Sequence, residues 1–586
     1  MRASLTRPQY PPMSFVKVNA SLRCCSGEHE SNEHDIDNRN MLLKLAKKTI
    51  SRIRSMRNHP ALRALAAHNR RVFKCGHQPV TVGPIILFEL NAMHSAHIAY
   101  AYLADELSRE HGAQVKAYAQ SAHANLFQRL AFRTKAALGW AQFGVYKSFG
   151  VNEFLEIRIN TQQRSRAKEL HADALGRIHN TRDIEDLHVN DVWIGDLLYD
   201  SFLMTYRVPT IDIASPIFNK FMLESMELYV YWDDYLTSND VRGINVSHCV
   251  YNLAMPLRLA VHRDIAVFQA NVTHLYRMTR NDLFAYNDFF HFPARFAALP
   301  EHVREAGLKI AEERIRRRFA GEVGVDMSYS TKSAYGLARH DRLLRQSSKK
   351  KILVATHCFF DSPHSYGKNT FPDFYEWLEF LGLISERTDY DWYIKTHPDF
   401  LPGTKEIIDD FVARNPKFTL LPSDASHMQI IAEGIDLALT SYGTIAFEYA
   451  AMNVPVINAS MNNPHIAYDF NVHAQSVEHY RELLENLDTF NFNIDLRKVY
   501  EYYFMRYIFN TEDLFFENYQ RAIDEIGGYD AQFTPAIYDK WLAEWSTSRH
   551  QEIVKALHDF VLSGEFRMDY THYGREFSVG LIGVKA

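Results

Sequence analysis

Two short blocks in the second half of this 586-residue chain carry the residue types that stabilise a leaving phosphate. In residues 436–458, DLALTSYGTIAFEYAAMNVPVIN, an apolar run leads into Ser441, Gly443 and Thr444, and a helical pattern follows from Ile445. Open α/β sheets bind ligands at the carboxyl ends of their strands. There a glycine admits close backbone approach, hydroxyls donate, and helix N–H groups favour an anion. Ser441 and Thr444 are expected to donate to phosphate oxygens. Glu448, one turn after Thr444 on the same helix face, is expected to accept from ribose hydroxyls. A plainer reading makes Thr444 a helix cap and Glu448 a solvated acid. The second block, Tyr393-Ile-Lys-Thr-His397-Pro398, also ends a strand pattern. Lys395 or His397 would neutralise the departing phosphate, and Pro398 favours an extended His397.

A third block, 356–377, follows the first strand of the same half and holds Asp361, His364, Gly367 and Lys368. It reads as a gating or acceptor loop facing a cleft between two halves. Asp361 and His364 also have metal-ligand chemistry, but spacing supplies no third ligand. In the first half, Asp196 in Gly195-Asp-Leu-Leu-Tyr-Asp200 is a candidate general base, or a helix cap in a short acidic turn. Glu89, at the end of Gly83-Pro-Ile-Ile-Leu-Phe-Glu89, has the same two readings. His248, in Ser247-His-Cys-Val-Tyr251, and Arg258 complete the candidate acceptor side. No nucleotide-binding glycine motif, nucleophile elbow or zinc-protease motif stands at a useful place, which argues against dehydrogenase, NTPase, serine hydrolase and zincin chemistry.

These groups need a scaffold with many strand ends. In the first half, strand patterns fall at 83–89, 114–118, 188–196, 244–248 and 265–268, with a helical pattern at 98–111. In the second they fall at 352–355, 390–395, 418–421, 437–440 and 454–458, spaced for one helix each. Such a series closes most simply as a doubly wound parallel sheet. The fold class is therefore α/β, with two Rossmann-like domains facing a cleft and helical additions at both ends. Residues 1–75 are read as a tail and a basic helix, 76–345 as the acceptor domain with a helical connector, 346–485 as the nucleotide-sugar domain, and 486–586 as a helical region bracing both halves. Residues 41–71 carry nine Lys or Arg and no acid at amphipathic spacing, a candidate for docking on an anionic membrane or for packing on the protein itself. The formal net charge is −5 and 47% of residues are apolar, which argues for a large globular core and against a dedicated nucleic-acid binder. Five cysteines, scattered apart from the adjacent pair Cys24-Cys25, and no long apolar run fit a reducing, cytoplasmic setting.

His397-Pro398, then Thr440-Ser-Tyr-Gly-Thr444 with Glu448 and Pro455, resemble the donor half of GT-B glycosyltransferases of bacterial surface polysaccharides. The nearest group is the capsule polysaccharide biosynthesis proteins, which include Kdo and sialic acid transferases using CMP-sugars. The resemblance spans residues 350–480, and more weakly Gly195–Asp200 and Ser247–Tyr251. It implies a transferase moving a sugar from a nucleotide-sugar to a glycan or lipid-linked acceptor, at the inner face of a membrane. No metal and no cofactor is implied beyond the nucleotide-sugar substrate, and the His-Pro motif and Ser/Thr loop would contact its phosphate. A polyol-phosphate transferase, a sugar-nucleotide epimerase and a non-enzymatic assembly protein remain open alternatives.

Overall fold

The computed structural model describes residues 59–119, 125–326, 333–336, 340–396, 402–490, 492–509 and 513–574. Two six-stranded sheets dominate it. The first contains β1 (Ile85–Glu89), β2 (Gln114–Tyr118), β3 (Val151–Leu155), β4 (Val241–Asn245), β5 (Ala266–Ala270) and β6 (Leu275–Met278), in the order β3-β2-β1-β4-β5-β6. The second contains β7 (Lys351–Ala355), β8 (Asp391–Lys395), β9 (Phe418–Leu420), β10 (Leu437–Thr440), β11 (Val456–Asn458) and β12 (Val472–His473), in the order β9-β8-β7-β10-β11-β12. Every pairing is parallel except β5 with β6. Each sheet therefore reverses its strand order once, between β1 and β4 and between β7 and β10. This is the Rossmann-like α/β architecture that the strand spacing predicts, built twice.

Both sheets are covered on both faces, which explains their unbroken apolar runs. Side chains alternate between faces. Ile86 and Phe88 point into a core shared with helix α1 (Pro60–Val72), helix α2 (Ala96–His111) and the C-terminal residues Phe515, Tyr538, Trp541 and Phe560. Ile85 and Leu87 face the opposite core, with α3 (Gly195–Tyr206) and α4 (Pro216–Ser238). In the second sheet Ile352 and Val354 face one core and Leu353 the other. A further aromatic core joins α5 (Glu301–Phe319), α6 (Ile445–Ala451), α7 (Leu496–Tyr503) and the π-helical turn Phe504–Phe509. The chain thus runs from the second sheet through α7 and returns, from Leu514 onward, to the first.

Several strand and helix expectations need correction. Residues 188–196 are not a sheet edge: His188–Val189 and Val192–Trp193 form a small antiparallel hairpin, and Asp196 lies in the first turn of α3. The connector expected to be helical at the end of 76–345 is so only in part: beyond residue 280, Phe292–Ala298, α5 and one short 3-10 turn are its helical pieces among the described residues. The basic segment 41–71 is described only from His59. There α1 buries Ala61, Leu62 and Leu65 in the protein's own core. That face is not open to a membrane, and residues 41–58 lie outside the described residues. Among the described residues, no helix is long and apolar enough to cross a membrane.

Candidate active site

The two switch points carry a polar side chain each. Glu89 closes β1, and its Oε2 accepts the Ser247 N–H just beyond β4 at 2.7 Å. Its carboxylate is 4% exposed, and burial pushes its pKa up to about 7, with the Ser247 hydrogen bonds opposing. Tyr118, whose hydroxyl lacks a partner among the described residues, and Tyr100, which the Asn245 side chain meets, lie in its field. In the second sheet the corresponding junction is made by His357, which follows β7. Its Nε2 accepts from the Ser441 N–H (3.3 Å) and lies 3.0 Å from Thr440 Oγ1 at the end of β10. The Thr440 hydroxyl in turn accepts from Gly443 N–H at 3.2 Å. The ring stacks on Phe374, 4.7 Å between centroids. His357 was not singled out from sequence. The signal was its place directly after a strand at the point where strand order reverses.

A run of contacts joins the two junctions. From Glu89 and Ser247 the chain passes His248, exposed yet in an enclosed setting whose desolvation lowers its pKa while Asp361 opposes. The Tyr251 hydroxyl then donates to Asp361 Oδ1 at 2.6 Å. Tyr442, inside the Ser441–Thr444 loop, donates to Ser362 O at 2.9 Å, and Tyr366 packs edge-on to it at 5.3 Å. The loop after β7 therefore bridges the carboxyl ends of both sheets. Its deepest contact is His364, fully buried, with Nδ1 2.6 Å from Asp200 Oδ1 and Nε2 3.2 Å from Glu185 Oε1. Burial opposes a charge on this imidazole, but the two carboxylates outweigh it and raise its pKa to about 10. Arg182 donates to the carbonyls of Asn369 and Thr370, Tyr199 donates to Asp373 (2.5 Å), and Lys368 pairs with Asp186. The loop is clamped on the first half along its length.

Other candidates have different tasks. Asp196 receives both terminal nitrogens of Arg258, at 3.1 and 2.5 Å, and both side chains are 1% exposed. A carboxylate held by a buried guanidinium is a poor proton acceptor, so Asp196 is no longer the candidate base. Arg258, 1% exposed and packed beside the Trp193 and Phe284 rings, is not open to an acceptor. Lys395 is committed elsewhere. Its Nζ donates to Ser423 O at 3.0 Å, and burial lowers its pKa to about 8 although Asp424 opposes. Glu448 is buried and paired with Arg318, while Thr444 Oγ1 donates to its other oxygen at 3.4 Å. It is therefore neither a solvated acid nor free for ribose, and the Thr444 side chain does not cap α6. Ser441, Gly443 and Thr444 do lie together at the β10 end. His397 lies outside the described residues. The described residues contain one three-ligand grouping able to hold a metal, Glu106, Glu110 and His558, but Glu106 already pairs with Arg109 and His558.

Gly443 has no room for a side chain. A Cβ there would meet Thr440 Oγ1 at 2.8 Å and the His357 ring at 3.3 Å. Gly443→Ala is expected to turn the Thr440 hydroxyl out of its hydrogen bonds, at a stability cost of about 1–3 kcal/mol. Nucleotide binding, read by calorimetry, should weaken about tenfold, the worth of about one hydrogen bond.

Comparison with known proteins adds little to this geometry. No protein-family model matches the chain, and no curated protein matches it. Solved structures that it resembles include a UDP-GlcNAc 2-epimerase from Neisseria meningitidis bound to UDP-GlcNAc, 10% identical over 72% of this chain and 96% of that one, with a TM-score of 0.21. Another is the β-Kdo 2,4 transferase KpsC of Thermosulfurimonas dismutans, 11% identical over 45% and 79%, with a TM-score of 0.28. A third is MurG of Acinetobacter baumannii, 11% identical over 72% and 95%, with a TM-score of 0.22. At these scores the likenesses assign no residue a role. The architecture stands on the two sheet orders themselves.

Proposed function

We propose that this protein is a glycosyltransferase that moves a sugar from a nucleotide-sugar donor to a glycan acceptor. One observation supports the reading above the others: two Rossmann-like switch points, one built around a buried carboxylate and the other around a hydroxyl-rich loop, joined by a single bridging loop. Glycosyl transfer needs stabilisation of the leaving phosphate and a group that takes the proton of the attacking hydroxyl, and an inverting transfer needs them on opposite sides of the sugar. The Ser441–Thr444 loop supplies hydroxyls and N–H groups for the leaving phosphate. Glu89, with a pKa near 7, is poised to take the proton of the attacking hydroxyl. The loop of residues 356–373 would limit water at the reacting carbon. The finer parts of the reading, a CMP-linked donor, a lipid-linked acceptor and work at a membrane surface, rest on the sequence resemblance alone.

The test is thermal stabilisation of the full chain by CMP, CDP, UDP and GDP, followed by mass spectrometry of nucleotide-sugars incubated with it. Stabilisation by one nucleotide, with donor consumed only when a glycan is added, supports the transferase. Conversion of the nucleotide-sugar without an acceptor would make the protein an epimerase. Stabilisation by none of them would end the nucleotide-sugar reading.

A further inference from the structure

Arg506 carries a positive charge into the region between the two halves and, among the described residues, has no carboxylate at ion-pair distance, although Asp288 lies within its field. It lies in the π-helical turn Phe504–Phe509, where Phe504, Met505, Ile508 and Phe509 are buried while Arg506 and Tyr507 remain partly open. Such wide turns displace side chains from the regular helical stripe and often mark functional sites. The guanidinium donates to the carbonyl of Tyr286 at 3.4 Å, a weak contact, and no carboxylate lies within 4.0 Å of it among the described residues. The nearest acid, Asp288, is occupied by Arg567 at 2.7 Å and lies 3.7 Å from Arg295.

The surroundings are those of a polar site. Tyr286 comes from the segment after β6, and its hydroxyl is 2.9 Å from His274 Nε2. Tyr366 comes from the bridging loop and packs on Tyr442 of the Ser441–Thr444 loop. His465 is 1% exposed, with neither ring nitrogen partnered, and burial, with His473 and Arg506 nearby, pushes its pKa well down. Arg506 shares its electrostatic surroundings with Tyr366, which packs on the loop assigned to the leaving phosphate, and with an imidazole whose hydrogen-bonding capacity is unmet. Burial opposes the Arg506 charge, but the field of Tyr366, Tyr502, Tyr507 and Asp288 outweighs it, so the guanidinium is a fixed cation able to meet an anion.

We propose that Arg506 anchors an oxyanion of the substrate between the two halves, either the phosphate beside the reacting sugar or the carboxylate of an acidic sugar. The proposal rests on the nucleotide-sugar reading of the neighbouring loop. A guanidinium suits both anions, because its planar fork matches two oxygens at once. Arg506 would be a binding residue, and Tyr286 a positioning residue that aims it.

The experiment is calorimetric titration of the full chain and of Arg506→Ala and Arg506→Lys with CMP, UDP, inorganic pyrophosphate and N-acetylneuraminate. Circular dichroism and melting temperature serve as folding controls. Loss of one charge-assisted contact should weaken binding about 10- to 100-fold in Arg506→Ala, with partial recovery in Arg506→Lys. Loss for the nucleotides and pyrophosphate identifies the phosphate. Loss for N-acetylneuraminate with the nucleotides unchanged identifies the carboxylate. A folded Arg506→Ala that binds every probe as the parent does would overturn the assignment and leave the nucleotide-sugar reading standing. If the parent binds neither nucleotide, that reading fails. Arg506 is then supported only by pyrophosphate or acidic-sugar binding that depends on it, and is refuted if both are absent.

Discussion

Glu89→Gln is expected to lower turnover by about 10²–10⁴-fold while the protein becomes more stable at pH 8. The rate loss is the usual worth of a positioned general base. The substitution keeps the shape and leaves an oxygen to accept from Ser247 N–H, so binding of nucleotide should change little. The stability gain follows from linkage. The carboxyl group titrates near 4.5 when unfolded and near 7 in the folded chain. Below pH 4.5 it is neutral in both states and contributes nothing. As pH rises through 7 the folded state must carry a buried charge that the unfolded chain carries in water, so stability falls. The penalty above pH 7 is roughly 3 kcal/mol for a shift of that size. Glutamine removes it. Melting curves at pH 4.5 and pH 8 should diverge only at the higher value, and the acid limb of the pH–rate profile near 7 should disappear. A variant with full turnover, or one equally destabilised at both pH values, would exclude Glu89 as the base.

The gain in stability separates this role from a structural one. A buried carboxylate kept for structure is normally paired, as Asp196 is with Arg258, and its removal costs stability because the partner charge is stranded. Glu89 has a single backbone donor and no cation within ion-pair distance among the described residues. A buried acid held at such a cost, next to an unpartnered Tyr118 hydroxyl, is the arrangement expected where function rather than stability fixes the residue.

The sequence showed the strands of both sheets more readily than the partners of the site residues. Buried parallel strands such as Ile85–Glu89 and Leu437–Thr440 are written as apolar runs, because both faces are covered. Three of the four edge strands were harder to read. Val151–Leu155 is polar on its exposed positions, and Val472–His473 is only two residues long. Leu275–Met278 turns back antiparallel, which no β/α spacing anticipates. The loop Ser441–Thr444 was legible because its chemistry lies in consecutive residues. Glu448 and Lys395 were misread because their partners, Arg318 and the Ser423 carbonyl, come from distant or neighbouring turns that spacing does not reveal. Asp196 failed for the same reason: Arg258 lies 62 residues away. His357 and Arg506 gain their meaning from the strand-order reversal and from a π-helical turn, neither of which is written locally.

His364→Ala is expected to destabilise the protein by about 3–5 kcal/mol, because it strips a buried cation from carboxylates that cannot follow it into water. Glu185 keeps Arg182 as a partner, so Asp200 bears most of the loss. Asp200→Ala on top of His364→Ala should therefore recover part of the stability, which a mere cavity would not allow. The pH dependence gives a second check. An imidazole titrating at 6.5 when unfolded and about 10 when folded contributes its full stabilisation below pH 6.5 and loses it as pH climbs toward 10. The stability difference between the parent and His364→Gln, measured by urea unfolding at pH 6 and pH 9.5, should shrink at the higher pH. Titrating groups remote from His364, Lys395 among them, are common to both proteins and cancel, whereas Asp200, held up to about 6 by burial against the His364 charge, and Glu185 titrate within the same comparison. A difference that stays constant across this range would mean that His364 is neutral in the fold and that the loop is held by Tyr199, Arg182 and Lys368 alone. A shrinking difference would make this contact a charged clamp between the halves, one that alkaline conditions release ahead of global unfolding.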